Sequence, residues 1–381
     1  MIEEVKLVDV CDVIAGQSPL SSTYNQEGNG TPFFQGKADF GEIYPTVRYW
    51  CDSPKKMSEP DDILFSVRAP VGPTNINNIN ACIGRGLAAI RCKEIERNYL
   101  LHYLRGNEEK ISSLGSGSTF KAITIGTLKD LKIPLPPLDQ QKKIAAILDA
   151  ADAYRQKTKA LIKKYDKLTQ SLFLDMFGDP LTNPKGWKEY LMNEACKKVT
   201  DGTHDTPERL SEGVKFITGK HIRPYSIDYK NSDYVTKDVH KEIFRRCNPE
   251  IGDVLYTNIG ANLGTAALNK VDYEFSMKNV ALLKPIEKLL TGRYLEYFLN
   301  SENMKSKIIW MTSLGGAQQF LSLTQLRRLK INVPPKEFQT QFAERVQAIE
   351  EQKAQAEASL AGAEDLFNSL LQRAFKGELT N

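Results

Sequence analysis

Long apolar runs are missing from this sequence. No stretch approaches the roughly 18–20 residues that a membrane-spanning helix needs, and the opening Met1-Ile2-Glu3-Glu4-Val5-Lys6 is acidic where a secretion signal is basic and then apolar. Cysteine is sparse. Cys11, Cys51, Cys82, Cys92, Cys196 and Cys247 are scattered, and no two have the spacing of a zinc knuckle or a redox motif. Reduced, mostly buried thiols in a cytoplasmic protein with no membrane contact are expected. Histidine is scarcer still: His102, His204, His221 and His240 form no HExxH pattern or ligand cluster, so no metal site is expected.

Catalytic signatures are absent as well. Gly84-Arg85-Gly86-Leu87-Ala88-Ala89 has the letters of a dinucleotide loop but runs into a strand-like segment, so a plain turn is the better reading. Gly115-Ser116-Gly117-Ser118-Thr119 lacks the lysine of a phosphate loop and reads as a flexible loop. Asn-Pro occurs only in Asn183-Pro184-Lys185 and Asn248-Pro249-Glu250, neither of which fits an adenine methyltransferase motif. Glu351-Gln352-Lys353 has the letters of a nuclease core, yet it lies in a helical run with no acidic strand partner upstream. No catalytic step is expected of this chain, and no cofactor bound by it.

What is present is enough chain for two or three domains. The 381 residues are 41% hydrophobic and 26% charged, the balance of a globular protein with real cores. The net charge of +4 is unevenly spread: residues 1–137 carry −1, 138–179 carry +2, 180–335 carry +6 and 336–381 carry −3. A local excess of this kind suits a polyanion but also an ordinary solvated surface.

The strongest signal is internal repetition. A shift of 198 residues lays Leu128, Leu131, Lys132, Ile133, Pro136 and Pro137 on Leu326, Leu329, Lys330, Ile331, Pro334 and Pro335. Upstream, Phe33–Lys37 pairs with Phe216–Lys220, Asp62–Ser66 with Asp253–Thr257, and Leu87–Arg91 with Val280–Lys284, with the block order kept. Each copy mixes short β-branched or aromatic runs with Gly/Pro/Asn turns and a helix, near Tyr99–Arg105 or Gly292–Asn300. The predicted class is therefore α/β, or α+β. Each copy then reaches a prolyl stop and a long proline-free run, which places helix starts near Asp139 and Glu337.

Both runs carry apolar residues at spacings of three and four. The expected seam has Ile144, Leu148, Ala151, Tyr154, Leu161, Tyr165 and Leu168 on the first helix, and Phe342, Val346, Ile349, Ala356, Leu360, Ala363 and Leu366 on the second. Each helix would be about 60 Å long, ending at Gly178-Asp179-Pro180 and Gly377. Equal helices separated by a domain of ordinary size pair most simply antiparallel, which predicts two heads and a coiled-coil rod with pseudo-twofold symmetry inside one chain. The expected divisions are a head over 1–137, a helix over 138–179, a head over 180–335 and a helix over 336–381.

Two variable α/β domains, each ending in Leu-Lys-Ile-x-[Leu/Val]-Pro-Pro and running into a long helix, resemble the specificity subunit of type I restriction-modification enzymes. The blocks Gly252–Thr257, Ser171–Pro180 and Leu371–Leu379 are similar to that family's, and the resemblance covers essentially the whole chain. One departure is Asp61-Asp62, where the second copy has Gly252-Asp253. The resemblance implies two target-recognition domains, each reading one half of an asymmetric bipartite site in double-stranded DNA. It implies helices that set the spacer and dock two methyltransferase subunits, and restriction subunits recruited through them. S-adenosylmethionine would be bound by the methyltransferase partners, and ATP and magnesium by the restriction partners.

Family divergence prevents carrying base contacts over, so candidates come from polar, glycine-bearing loops at matched positions. They are Gln17, Lys37, Arg68, Arg85 and Lys121 in the first head, and His204, Lys220, His221, Asn258, Asn262, Gln318 and Gln319 in the second. Lys37 and Lys220 are expected to be phosphate contacts, and the basic second head is expected to hold DNA differently from the neutral first.

Overall fold

The computed structural model describes residues 3–116, 121–313 and 320–379. They form two compact units, Met1–Lys159 with Glu357–Asn381, and Ala160–Ala356. Each unit joins one head to half of each long helix.

The first unit holds a four-stranded antiparallel sheet in the order Cys11–Ala15, Leu87–Cys92, Ile63–Ser66, Thr74–Ile76. A second sheet pairs Thr31–Phe34 in parallel with Ala81–Ile83. The second unit repeats the plan with Cys196–Asp201, Ala281–Pro285, Val254–Tyr256 and Ala266–Leu268. There too a smaller sheet has one parallel pair, Val214–Thr218 with Ser276–Lys278. Ile63–Ser66 and Val254–Tyr256 are buried along their whole length, which is why they read as continuous apolar runs and not as alternating ones.

The duplication reaches individual polar contacts. Tyr99 donates its hydroxyl to the Pro134 carbonyl at 2.8 Å, and Tyr294 to that of Asn332 at 2.6 Å, so a buried tyrosine anchors each head helix (Arg97–Gly106, Gly292–Asn300) to the strand before the prolyl stop. Asp62 holds Arg91 through two bonds of 2.9 Å, and Asp253 holds Lys284 at 2.6 Å. The Asp61 departure leaves the turn intact: Asp61 has φ +71° and Gly252 φ +89°, because a short polar residue tolerates the left-handed region that glycine enters freely.

The long helices run Leu138–Phe177 and Lys336–Phe375, 40 residues each. Gly178 and Gly377 end them at φ +79°, the left-handed stop that favours glycine. Their pairing is antiparallel within each unit. In the first, Lys159 bridges Glu364 at 2.9 Å and the Arg155 guanidinium lies 3.8 Å over the Phe367 ring. In the second, Lys353 bridges Asp166 at 2.7 Å, and Phe173 and Phe177 pack on Phe342.

The seam departs from the sequence expectation in places. Ile144, Leu148, Phe342, Val346, Ala356 and Ala363 are buried, and Ala151, Tyr165, Ile349 and Leu360 half-buried. Leu161, Leu168 and Leu366 are exposed instead, and the inward positions go to Ile162, Thr169 and Phe367. Tyr154 is 54% exposed and lies at the seam's edge, its hydroxyl 2.8 Å from that of Ser359. A straight helix turns 3.6 residues per cycle, so a strict three-four count drifts off the buried face.

Candidate nucleic-acid interface

In the first unit the candidate loops are drawn together by the backbone. Gly16 N–H donates to the Leu87 carbonyl at 3.0 Å, Gln17 to Ile83 at 2.8 Å and Gly84 to Phe34 at 2.8 Å. Val67 donates to Gly86 and Ile123 to Val67, both at 3.0 Å, while Arg68 bridges Ala122. Five separate segments therefore meet at one rim, which carries Gln17, Lys37, Arg68, Arg85 and Lys121, all exposed.

Three of these segments are held by local side-chain devices. Lys37 opens a short 3₁₀ turn, Lys37–Asp39, in which the buried Asp39 carboxylate accepts from Gln35 N–H at 2.6 Å and is gripped by Arg48 at 2.6 and 2.8 Å. Ser66 donates to the carbonyls of Arg68 (3.0 Å) and Pro70 (2.8 Å), and Ser18 Oγ accepts from Arg85 N–H at 3.1 Å. Lys37, Arg68, Arg85 and Lys121 form no salt bridge with any described residue. Four cations outside any direct ion pair make this rim positive despite the unit's neutral head, although the Lys37 charge is felt by the Glu108 carboxylate.

The second unit builds its rim from equivalent bonds. Gly202 N–H donates to Val280 at 3.0 Å, Thr203 to Met277 at 2.9 Å and Leu321 to Asn258 at 2.7 Å, while Ile259 bridges Phe320. An open cavity here is lined by Arg209, Lys220, Arg223 and Lys278 with the amides of Asn262 and Asn279. Acids intrude on this rim. Asp233 takes both Lys220 and Arg209 at 3.1 Å, and Asp201 takes His204 at 2.9 Å as well as Arg246. The larger net charge of the second head is thus partly cancelled where it would matter, and the two rims differ less than the totals suggest.

Lys220, His204 and Asn262 reach this rim. His204 is exposed, its Nδ1 2.9 Å from Asn279 Oδ1. Asn262 is half-buried and donates to the Gly219 carbonyl at 3.1 Å, fixing the Gly219–His221 turn. Two candidates are corrected. His221 is only 2% exposed, and its Nδ1 accepts from Thr218 N–H at 2.9 Å, the same task that Asp39 performs in the first unit. Burial, with the nearby Lys220 charge, holds its pKa below the ordinary value, as an acceptor ring requires. Asn258 is 7% exposed, and its side chain donates inward to the Leu321 carbonyl at 3.2 Å. Gln318 and Gln319 lie outside the described residues, as do residues 117–119 of the glycine-serine loop.

Arg209, Arg223, Lys278 and Asn279 were not among the sequence candidates. The repeat carried a signal for two of them: extending the Leu87–Val280 match backwards sets Lys278 and Asn279 opposite Arg85 and Gly86. Arg209 had no such signal. Among the described residues no group of three or more His, Cys, Asp or Glu could hold a metal ion, and no helix is long and apolar enough to cross a membrane.

One domain plan used twice, with a basic loop rim on each copy and a long helix following each, defines a duplicated recognition protein suited to a polyanion. The sequence profile of the type I restriction modification DNA specificity domain matches residues 2–165 and again 184–360. The chain belongs to this family. It is 23% identical to the EcoBI type I restriction enzyme specificity subunit of Escherichia coli, over 93% of this chain and 78% of that one. It is 47% identical to the chain assigned as the MjaX type I restriction enzyme specificity subunit of Methanocaldococcus jannaschii, over 42% of this chain but only 39% of the relative's length. Its fold is similar to the crystal structure of the type I restriction-modification S subunit from M. genitalium, with a TM-score of 0.61 at 19% identity, covering 98% of this chain and 96% of that one.

Proposed function

We propose that this chain is the DNA-recognition subunit of a type I restriction-modification complex, each rim reading one half of an asymmetric bipartite site. The observation that carries the reading is the twofold family match laid over two rims of the same construction. Phosphate contacts from Lys37, Arg68, Arg85 and Lys121 in one unit, and from Lys220, Arg223 and Lys278 in the other, position the duplex. Arginine and amide side chains at the rims then discriminate base edges in the major groove. The rims differ in sequence, so the half-sites differ.

The long helices fix the number of unread base pairs between the half-sites, as the spacing of dimeric repressors does. Their exposed Leu161, Leu168 and Leu366 supply apolar surface for two methyltransferase subunits, through which restriction subunits join. Chemistry belongs to those partners: methyl transfer from S-adenosylmethionine in one, ATP- and magnesium-dependent cleavage in the other.

Methylated adenines mapped across the genome with and without the gene test this reading. Loss of one bipartite motif supports it. If no motif disappears although the chain is expressed with its methyltransferase, the recognition role is wrong. Replacing residues 1–137 with the head of another family member should change one half of the motif and leave the other.

A further inference from the structure

The second unit has a helix without a counterpart in the first. Between Asp233–Val235 and Val254–Tyr256 lies the helix Lys237–Arg246, whereas the matching connection, from Tyr49–Cys51 to Ile63–Ser66, holds only the short strand Met57–Ser58. We propose that this inserted helix is a second phosphate-binding surface, gripping the DNA backbone outside the half-site that the second rim reads. The inference rests on the proposed DNA-recognition function.

One face of the helix is fixed to the unit. Thr236 caps it, accepting from Val239 N–H at 3.3 Å, and Ile243 is buried against Phe216 and Val235. His240 is also buried, with Nδ1 3.0 Å from Ser276 Oγ and Nε2 3.1 Å from Glu274. That contact engages the one acidic residue lining the hollow beside the helix.

The adjoining face is basic. Lys237, Lys241 and Arg245 stand one turn apart, about 6 Å between successive positions. All three are exposed and line the same open hollow, beside Phe244. Lys237 and Arg245 form no salt bridge with a described residue. Lys241 meets Asp238 at 3.5 Å, but both side chains are largely in water, where such a pair is worth little. Asp238 and Glu242 lie on the helix but do not line the hollow. A row of three solvent-facing cations at one-turn spacing, only one of them in an exposed ion pair, suits a repeating anion.

The C-terminal end of the helix adjoins the rim. Arg246, the last residue of the helix, pairs with Asp201, which in turn holds His204 at 2.9 Å. A duplex seated on the second rim would thus meet the helix next along its backbone, with no base read there.

The test uses the full chain in complex with its methyltransferase partner and a 40-base-pair duplex of random sequence. Affinity is measured across a salt series for the natural chain and for the triple variant Lys237→Ala, Lys241→Ala, Arg245→Ala. Each lost phosphate contact lowers the slope of log K against log salt by about 0.9, so the triple variant should lose about two to three. A control with the same charge change, Lys142→Ala, Lys143→Ala, Lys157→Ala on the first long helix, should keep the natural slope. An unchanged slope in the helix variant overturns the proposal, and so does an equal drop in the control, which would mean net charge alone is responsible. If the natural complex itself fails to bind the duplex with any salt dependence, the recognition function falls and this proposal with it.

Discussion

Gln141 and Gln339, 198 residues apart, make the same pair of hydrogen bonds in the two units. The Oε1 of Gln141 accepts from Glu96 N–H and its Nε2 donates to the Pro136 carbonyl, both at 2.8 Å. Gln339 does the same with Thr291 N–H and Pro334, again at 2.8 Å. Glu96 and Thr291 are the N-caps of the head helices, so each glutamine latches the first turns of a long helix to its own head.

Both glutamines are buried, and Gln141→Ala or Gln339→Ala would leave backbone groups without partners. Each orphaned group costs about 1–3 kcal/mol. Urea titration of either variant should show a lowered midpoint. A loss no larger than that of an exposed glutamine such as Gln372→Ala would mean that the latch is dispensable.

The seam assignment makes a paired prediction. Leu148 is fully buried, and Leu148→Ala should cost about 2–5 kcal/mol. Leu161→Gln and Leu168→Gln, at exposed positions, should change the stability of the isolated chain by about 0.5 kcal/mol or less. Calorimetry on the three variants decides between this register and the strict heptad, which would make Leu161 and Leu168 costly as well.

Lys37 and Lys220 should not behave alike in DNA binding. Lys37 forms no salt bridge with a described residue, so Lys37→Ala should lower the salt slope by about 0.9. Lys220 is already shared with Asp233, whose charge the removal would leave facing the duplex. Lys220→Ala should therefore weaken binding, and Asp233→Asn should strengthen it. Fluorescence anisotropy with a random duplex would refute the assignment of Asp233 as a competing anion if its replacement weakened binding.

Acid should destabilise the fold through its buried imidazoles. His221 and His102 are both held below the ordinary value of 6.5 by burial, with Lys220 adding to the effect on His221. The unfolded chain takes up protons as pH falls through about 6.5 while these rings stay neutral in the fold, so their contribution is complete above that pH and is lost below it. The urea midpoint should drop between pH 7.5 and 5.5. His221→Asn, which keeps an acceptor for Thr218 N–H, should reduce that drop, and the same drop in the variant would exonerate His221.

Much of this architecture was legible in the residues. Proline is excluded from helix interiors, so Pro134-Leu135-Pro136-Pro137 and Val333-Pro334-Pro335 marked both long helices to within a residue or two. The order of matched blocks gave the duplicated sheet. Candidate contacts were harder. Lys37, Arg68, Arg85 and Lys121 reached one rim because polar loops at matched positions lie at one end of a sheet, while His221 and Asn258 had the same credentials and turned inward to satisfy backbone groups.

The sequence by itself determined the twofold plan, the helix limits and the family, because repetition, proline and glycine act through local backbone geometry that needs no partner. Only the tertiary structure decided which cations stand free. Asp233 reaches Lys220 across 13 residues and Asp201 reaches Arg246 across 45, and the strength of an ion pair depends on distance in space and on exposure to water. A count of charges along the chain contains neither.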